Sequence, residues 1–535
     1  MSTFGRPAMR PDAQRQASPL PLKMSCTHGT ITAMGFPPTP EQQTAIDVFE
    51  SGDDLVVEAG AGAGKTSTLR AMANTEHGRQ RGLYLGFNRR IVEEARSSMP
   101  AHVVSATPHS LAWHSGGSRF ADRLDHPRQL SADVAAQAGI RGMRAEEEGG
   151  RATTLEPGQV AGIVGAAARQ FLMSGDPSPR AHHVVLPPEV RRTTDVVSKL
   201  MPHVRRVWDD LQDPAGTWPY VHNAYLKQWC LTSPVLRYGY VLFDEAQDAN
   251  PAVAALVAAQ QAQKVYVGDS AQAIYGFNGA VDAIGSFTGR RCSLTQSFRF
   301  GAAIAESANT ILASPALAVA LRIVGNPALD SEVSDFVVDP DAVLVRTNAG
   351  AVEVLLQHPQ QRLAVVGGTK DIKAFVWAAG RLRAGRAPEH RDLSCFPTWD
   401  AVREYVKEDQ AGAELKSMVG LVDRYGVATV VQAAKQTVTE KRAEMVVSTA
   451  HRAKGREWDR VQVHSDFPSG WQDDPDEARL MYVVRTRARL ALGTGTATPP
   501  EPAERPDQEP PEPTPAPEPR GSRRERRRER RNAHN

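Results

Sequence analysis

The stretch Glu58-Ala59-Gly60-Ala61-Gly62-Ala63-Gly64-Lys65-Thr66 leaves the chain around it little freedom. Leu55-Val56-Val57 ahead of it is a short apolar run that predicts a buried strand. Ser67-Thr68-Leu69-Arg70-Ala71-Met72 behind it opens a helix. Small residues where a strand turns into a helix let backbone N–H groups close on a polyphosphate at the positive end of the helix. On this reading Ala59, Gly60, Ala61, Gly62, Ala63 and Gly64 cradle the phosphates of a nucleotide, with Ser67 just beyond. Lys65 reaches the β- and γ-phosphates, and the Thr66 hydroxyl holds Mg²⁺. Ala59 stands where the general pattern has a first glycine and keeps the side chain small.

A chain of 535 residues exceeds one core, and at roughly 150 residues per domain it divides into several units. Hydrophobic residues make up 41% and charged residues 23%, with no apolar run of bilayer length, which predicts a globular protein without a membrane partner. Cys26, Cys230, Cys292 and Cys395 lack paired short spacings. That argues against zinc ribbons, iron–sulfur clusters and a disulfide framework, and for a reducing compartment. The first residues carry no apolar core of signal-peptide length, so the expected location is the cytoplasm, in association with the nucleoid.

Residues 1–35, rich in Pro, Ser, Gln and Arg, read as a disordered segment. Thr39 and Pro40 then predict a capped helix start, and Gln42 within it can offer its amide to an adenine edge. Gly82–Phe87 and His102–Ala106 read as further strands, so that 36–112 forms the first part of an αβ domain whose strand ends carry the site. Residues 113–234 read as a helical insertion. The strand Tyr240-Val241-Leu242-Phe243 ends in Asp244-Glu245-Ala246-Gln247-Asp248, and Lys264-Val265-Tyr266-Val267 ends in Gly268-Asp269-Ser270-Ala271-Gln272, which completes the first domain over 235–290. Asp244 is placed for Mg²⁺, Glu245 for polarising an attacking water, and Gln272 for sensing the γ-phosphate. A second αβ domain is expected over 291–375 and 440–496, interrupted by a small, charged, helical insertion at 376–439. Residues 497–535 are Pro/Glu-rich and then arginine-rich, too polar to bury a core. They read either as a solubilising tail or as an electrostatic grip on nucleic-acid phosphates.

The closing motifs give the order of these segments its meaning. Thr449-Ala450-His451-Arg452-Ala453-Lys454-Gly455-Arg456-Glu457-Trp458-Asp459, Glu477 to Ala488, and Leu294-Thr295-Gln296-Ser297-Phe298-Arg299 resemble the fifth, sixth and fourth motifs of the UvrD/Rep group of superfamily-one helicases. A closer likeness, to the F-box DNA helicases and their compact phage and bacterial relatives, rests on Tyr225-Leu226-Lys227-Gln228-Trp229 and Asp244 to Pro251. The resemblance covers roughly residues 36–492. It implies an α/β fold of two RecA-like P-loop NTPase domains with parallel sheets, each carrying a mainly helical insertion, the second reduced, between disordered termini. It further implies ATP and Mg²⁺ as cofactors, and single-stranded and partially duplex DNA as partners. Movement would run 3′ to 5′, and the tail could engage replication or repair proteins. By matching position, Arg299 and Arg487 would be arginine fingers and Phe298 would stack on adenine. Gln42 would read the adenine edge, Glu457 would approach the ribose, and Gly455 would line the nucleotide site. Phe87, Asn88, Thr107, His109, Tyr275, Phe277 and His451 would contact DNA.

Three departures qualify the match. Ser67 replaces the usual arginine beside adenine, which implies looser nucleotide discrimination. Asn278-Gly279-Ala280 replaces Arg-Gly-Ala, removing one expected phosphate contact. The stretch between Arg346 and Val446 is too short for a large regulatory insertion, so autoinhibition by such a subdomain should be reduced or absent. A helicase–nuclease finds no room after the sixth motif. An ATP-driven clamp that does not unwind keeps the same motifs, and RNA shares the same stacking platforms.

Overall fold

The computed structural model describes residues 37–495 apart from 125–128, 130, 148, 188–189, 275–282, 391, 395 and 408–412. In chain order the strands are β1 (Leu55–Ala59), β2 (Gly82–Leu85), β3 (Val103–Ala106), β4 (Met143–Glu146), β5 (Ala152–Leu155), β6 (Tyr240–Phe243) and β7 (Gln263–Gly268). They continue as β8 (Arg290–Leu294), β9 (Glu332–Ser334), β10 (Ala342–Val345), β11 (Leu363–Val365), β12 (Met445–Thr449), β13 (Trp458–Val463) and β14 (Ala488–Gly493). The described residues form two compact units, one of 37–346 with 447–495 and one of 347–446.

The first unit holds a six-stranded sheet in the order β3-β2-β6-β7-β1-β8, with every pairing parallel. Parallel strands are covered by helices on both faces, so their residues bury without alternating. All four residues of β2 and all four of β6 are buried. This order sets β1, which feeds the glycine-rich loop, beside β7, with β6 next, so the phosphate loop and both acidic strand ends open on one edge. The core beneath one face joins Phe49, Leu55, Val57, Leu69, Tyr84, Tyr240 and Leu242. The same unit contains the strands β12, β10, β13, β14 and β9 side by side in that order, and the β10–β13, β13–β14 and β14–β9 pairings are parallel. The chain is thus mixed α/β with parallel sheets, as two RecA-like halves require.

Two differences from the sequence reading stand out. The segment read as a mainly helical insertion also carries an antiparallel hairpin, β4 with β5. Its four-residue strands are too short to show a period of two over a diagnostic length. The second compact unit runs over 347–446, wider than the insertion placed at 376–439. There Ala349 and Val352 of the helix Asn348–Gln357 share one core with Phe375, Val376, Val422 and Val430. The αβ alternation of that stretch conceals this sharing. The long helical stretch Ala413–Lys435 is broken at Gly426, whose φ of 74° only glycine adopts without strain. Tyr275, Phe277, the Asn278-Gly279-Ala280 departure and both termini lie outside the described residues.

Candidate nucleotide and nucleic-acid site

The loop Gly60–Gly64 turns β1 into the helix Lys65–Ala73, with Gly64 as the N-cap in the left-handed conformation. Gly62 is left-handed as well, and a Cβ there would meet Ser297 Oγ at 2.6 Å and Arg299 Cβ at 2.7 Å. The glycines therefore serve two ends: they free the backbone for an anion, and they let the Ser297–Arg299 segment lie against the loop. Phe298 donates its N–H to Gly62 O at 2.9 Å, and Gly60 donates to Leu294 O at 2.9 Å. Glu41 fixes the entry to this segment, accepting from the Thr295 N–H and hydroxyl at 2.7 Å each.

Acidic groups converge below the loop. Lys65 Nζ lies 3.0 Å from Glu245 Oε2, and Thr66 Oγ1 donates to Asp244 Oδ2 at 3.3 Å. Tyr84 donates to the same Asp244 oxygen at 2.5 Å, while Gln247 donates to Glu245 Oε2 at 2.6 Å. Glu245 holds φ of 52°, an unusual left-handed conformation for a side-chain-bearing residue, directly after β6. Burial opposes charge on Lys65, yet Glu245, Asp269 and Asp244 outweigh it and hold the lysine above its ordinary pKa. Burial also opposes charge on Glu245, but Lys65 and Lys454 bring it down to about 2. Asp244 moves the other way, pushed up by burial and by the Glu245 charge against the pull of Lys65. Two adjacent carboxylates cannot share one cation equally, and their pKa values separate.

Cations of the second sheet's segments face this cluster. Arg487, 1% exposed, donates to Val483 O at 2.8 Å and to Gln272 Oε1 at 3.4 Å. Burial, together with the Arg299 charge, lowers its pKa to about 9. Arg299 donates to Glu457 Oε2 at 2.7 Å and to Thr486 O at 3.0 Å. Lys454 donates to Asp248 Oδ2 at 2.5 Å and to Gln272 O at 2.6 Å. Gln272 in turn donates to Asp269 Oδ2 at 2.6 Å. A cavity of about 520 Å³ is lined by Gly62, Lys65, Thr66, Ser67, Asp244, Glu245, Phe298, Arg299, Gly455 and Glu457, among others.

Of the sequence-selected nucleotide residues, Gly62, Ala63, Gly64, Lys65, Thr66, Ser67, Asp244, Glu245, Phe298, Arg299, Gly455 and Glu457 line this cavity, whereas Ala59, Gly60, Ala61, Gln272, Arg487 and Gln42 are not among its lining residues. Gln42 is 1% exposed, its carbonyl taken by Thr39 N–H at 3.0 Å and its amide given to Thr68 Oγ1 at 3.2 Å, so in this conformation it closes a helix cap. Glu457 is held by Arg299. Phe298, 47% exposed, offers an open ring face beside Gly64.

The residues selected for DNA scatter more widely. Phe87 and Asn88 line the same cavity. Asn88 and Thr107 each cap a helix, accepting from Ile91 N–H and Ser110 N–H at 3.0 Å. His109 hydrogen-bonds Asn223 Oδ1 at 3.0 Å, and burial lowers its pKa. Burial and then the Arg346 charge do the same for His451. Lys454, Asp248, Asp269, Tyr84 and Tyr482 belong to this site and were not singled out in the sequence. The signal was available for four of them, since Asp248 and Asp269 lie inside the runs after β6 and β7, and Lys454 and Tyr482 inside the fifth and sixth motifs.

The donor set fits a magnesium nucleotide. Thr66 and Asp244 are hard oxygen ligands within reach of one ion, and the left-handed Gly62 and Gly64 free the loop backbone to turn N–H groups toward phosphates. Fold and loop together have the form of a P-loop domain, with Arg299 packed against the loop and Arg487 bonded to Gln272. The chain carries matches to the UvrD/REP helicase N-terminal domain over residues 218–287 and to the UvrD-like helicase C-terminal domain over 400–496. It is 28% identical over 558 residues to F-box DNA helicase protein 1 of Schizosaccharomyces pombe, covering 90% of this chain and 62% of that one. It is 26% identical over 505 residues to F-box DNA helicase 1 of Gallus gallus, covering 85% and 48%. With DNA helicase IV of Escherichia coli it shares 29% over 332 residues, covering 52% and 47%. The chain thus spans less than two thirds of the length of each of these relatives. Among the described residues, no helix is long and apolar enough to cross a membrane.

Proposed function

We propose that this chain is an ATP-dependent DNA helicase that moves 3′ to 5′ on single-stranded DNA and unwinds the duplex ahead of it. The observation that carries the reading is the approach of Arg299 and Arg487 to the loop and carboxylates that would hold a triphosphate. The names of its relatives, all DNA helicases, support DNA as the substrate.

Bound MgATP supplies a phosphoanhydride whose hydrolysis releases the free energy for movement. Lys65 and the loop N–H groups would bind its phosphates, while Thr66 and Asp244 would hold the metal. Glu245, ionised under the influence of Lys65 and Lys454, would orient water, and Gln272, bonded to Asp269 and Arg487, would sense the γ-phosphate. Arginine fingers stabilise charge that develops in the transition state, a contribution of roughly 10³ to 10⁵ in rate. Because Arg299 and Arg487 belong to segments around the second sheet, their engagement ties hydrolysis to motion between the two halves. Phe87, His109, Tyr275, Phe277 and His451 would offer stacking faces to bases, and Asn88 and Thr107 contacts to phosphates. Residues 497–535 remain the candidate contact for DNA or for a replication or repair protein.

The test is strand displacement from duplexes with a 3′ or a 5′ single-stranded tail, with MgATP. Displacement from the 3′-tailed duplex alone is expected. DNA-stimulated hydrolysis without displacement from either substrate would favour the clamp, and absence of hydrolysis would overturn the reading altogether.

A further inference from the structure

We infer that Tyr482 is a positioning residue that sets the distance between the phosphate loop and the pair Gln272 and Arg487. The inference rests on the ATP-hydrolysing reading above.

Tyr482 lies on the helix Pro475–Arg485 with no exposed surface. Its hydroxyl accepts from the Ala61 N–H at 3.2 Å, inside the loop, and donates to Asp269 Oδ2 at 3.0 Å, at the end of β7. The same Asp269 oxygen accepts from Gln272 Nε2 at 2.6 Å, and Gln272 Oε1 accepts from Arg487 Nη2 at 3.4 Å. Arg487 leads back to the tyrosine's helix through its Nε bond to Val483 O at 2.8 Å. The hydrogen bonds therefore close a ring of phenol, carboxylate, amide, guanidinium and helix, and the phosphate-loop backbone is tied to it at the phenol.

A buried tyrosine commonly satisfies its hydroxyl wherever an acceptor is at hand. This one differs in where its two bonds end. One lies on the backbone that would wrap the phosphates, the other on the carboxylate that orients the γ-phosphate-sensing amide. Burial and the neighbouring Asp269 charge hold the phenol well above its usual pKa, so it stays an O–H that can accept and donate at once. Phenylalanine keeps the ring and its packing, and removes both bonds. The loop could then bind nucleotide with its glycines and Lys65 intact, while Gln272 and Arg487 would lose their fixed distance from it.

The experiment is steady-state hydrolysis by the full chain with single-stranded DNA, comparing wild type, Tyr482→Phe, Gln272→Ala and the double variant. Removing a group that orients a site residue typically costs 10- to 100-fold, and we expect about that loss in kcat for Tyr482→Phe, with KM for ATP within a factor of about three. The double variant should be no slower than the worse single one, because both act through one ring. Should Tyr482→Phe fail to fold, Asp269→Asn, which keeps the volume and removes the charge, is read in the same cycle with Gln272→Ala. Losses that multiply, or a Tyr482→Phe protein with wild-type kcat, overturn the inference. A wild-type protein that hydrolyses no ATP would instead overturn the functional reading on which it rests.

Discussion

The Lys454 ammonium lies 2.5 Å from Asp248 Oδ2, so a cation next to β12 closes on the acidic run that follows β6. Asp248 is 4% exposed, and its other oxygen, Oδ1, has no hydrogen-bond partner. Burial pushes its pKa up from 3.8 to about 6 against the pull of Lys454. The sign follows from that direction: as pH falls through about 6, Asp248 takes up a proton that a free aspartate would not, and the pair loses one of its charges. Hydrolysis should therefore decline below about pH 6, whereas Asp248→Asn should be slow throughout and lack that step. A pH–rate profile of the two proteins decides it, since an unchanged acid limb in the variant would remove Asp248 from the explanation.

Lys65 and Glu245 make one ion pair but should fail differently when altered. Lys65→Ala removes the cation that phosphates would meet, so nucleotide binding and turnover should both collapse. Glu245→Gln keeps the shape of the side chain and removes the charge that would orient water. It should bind ATP and hold it unhydrolysed. Nucleotide binding followed by fluorescence, alongside phosphate release, separates the two, and wild-type release from Glu245→Gln would refute the assigned role.

Arg299 and Arg487 differ in their surroundings and should respond differently to lysine. Arg487 satisfies Val483 O, Arg456 O and Gln272 Oε1 with separate nitrogens of its planar fork. One ammonium cannot reach all three, so Arg487→Lys should be nearly as slow as Arg487→Ala, each down by roughly 10³ or more. Arg299→Lys can still meet Glu457 and should retain more turnover. For both alanine variants, nucleotide affinity should fall far less than rate, because a finger acts on transition-state charge. Equal losses of affinity and rate would assign these arginines to ground-state binding.

The first sheet was legible because parallel strands bury both faces, and β1, β2, β3, β6 and β7 stand out as short apolar runs. The edge strand β8 reads Arg290-Arg291-Cys292-Ser293-Leu294 and is mostly exposed, and all three residues of β9 are exposed, so neither leaves a hydrophobic signature. In the site, phosphate-loop chemistry is local and could be read from nine residues in a row. The Ala61–Tyr482 and Lys454–Asp248 bonds join positions 421 and 206 residues apart, and no spacing rule reaches that far. Gln42 shows the opposite case. Thr39-Pro40-Glu41-Gln42 already spells a capping box, and the amide that could read a base also completes that cap.

Away from the site, Arg123 is the most demanding side chain to lose. It is 4% exposed, gives one nitrogen to Asp210 O at 2.8 Å and Asp213 O at 2.6 Å, and gives the other to Asp210 Oδ1 and Trp218 O at 2.7 Å each. Its guanidinium also lies 4.7 Å from the Tyr220 ring centre, and Tyr220 stacks on Phe120. One cation thus gathers the helix Thr194–Gln212, the turn after it and the aromatic pair. Arg123→Ala would remove one donor from three carbonyls and a carboxylate, leaving Trp218 O without its charged partner, and breaking a pair buried on the arginine side should cost up to about 3 kcal/mol. Gly216→Ala should reproduce part of this loss with Arg123 intact, because a Cβ there would come within 2.6 Å of Arg123 Nη1 and of Asp210 Oδ1. Thermal unfolding of this segment, followed by hydrogen exchange in the helix Thr194–Gln212, should shift sharply for Arg123→Ala and less for Gly216→Ala. Hydrolysis measured well below the transition should stay near wild type in both, since neither residue lines the nucleotide cavity. Unchanged exchange in that helix would mean that the apolar core around Phe171, Leu200 and Val204 holds it without the arginine.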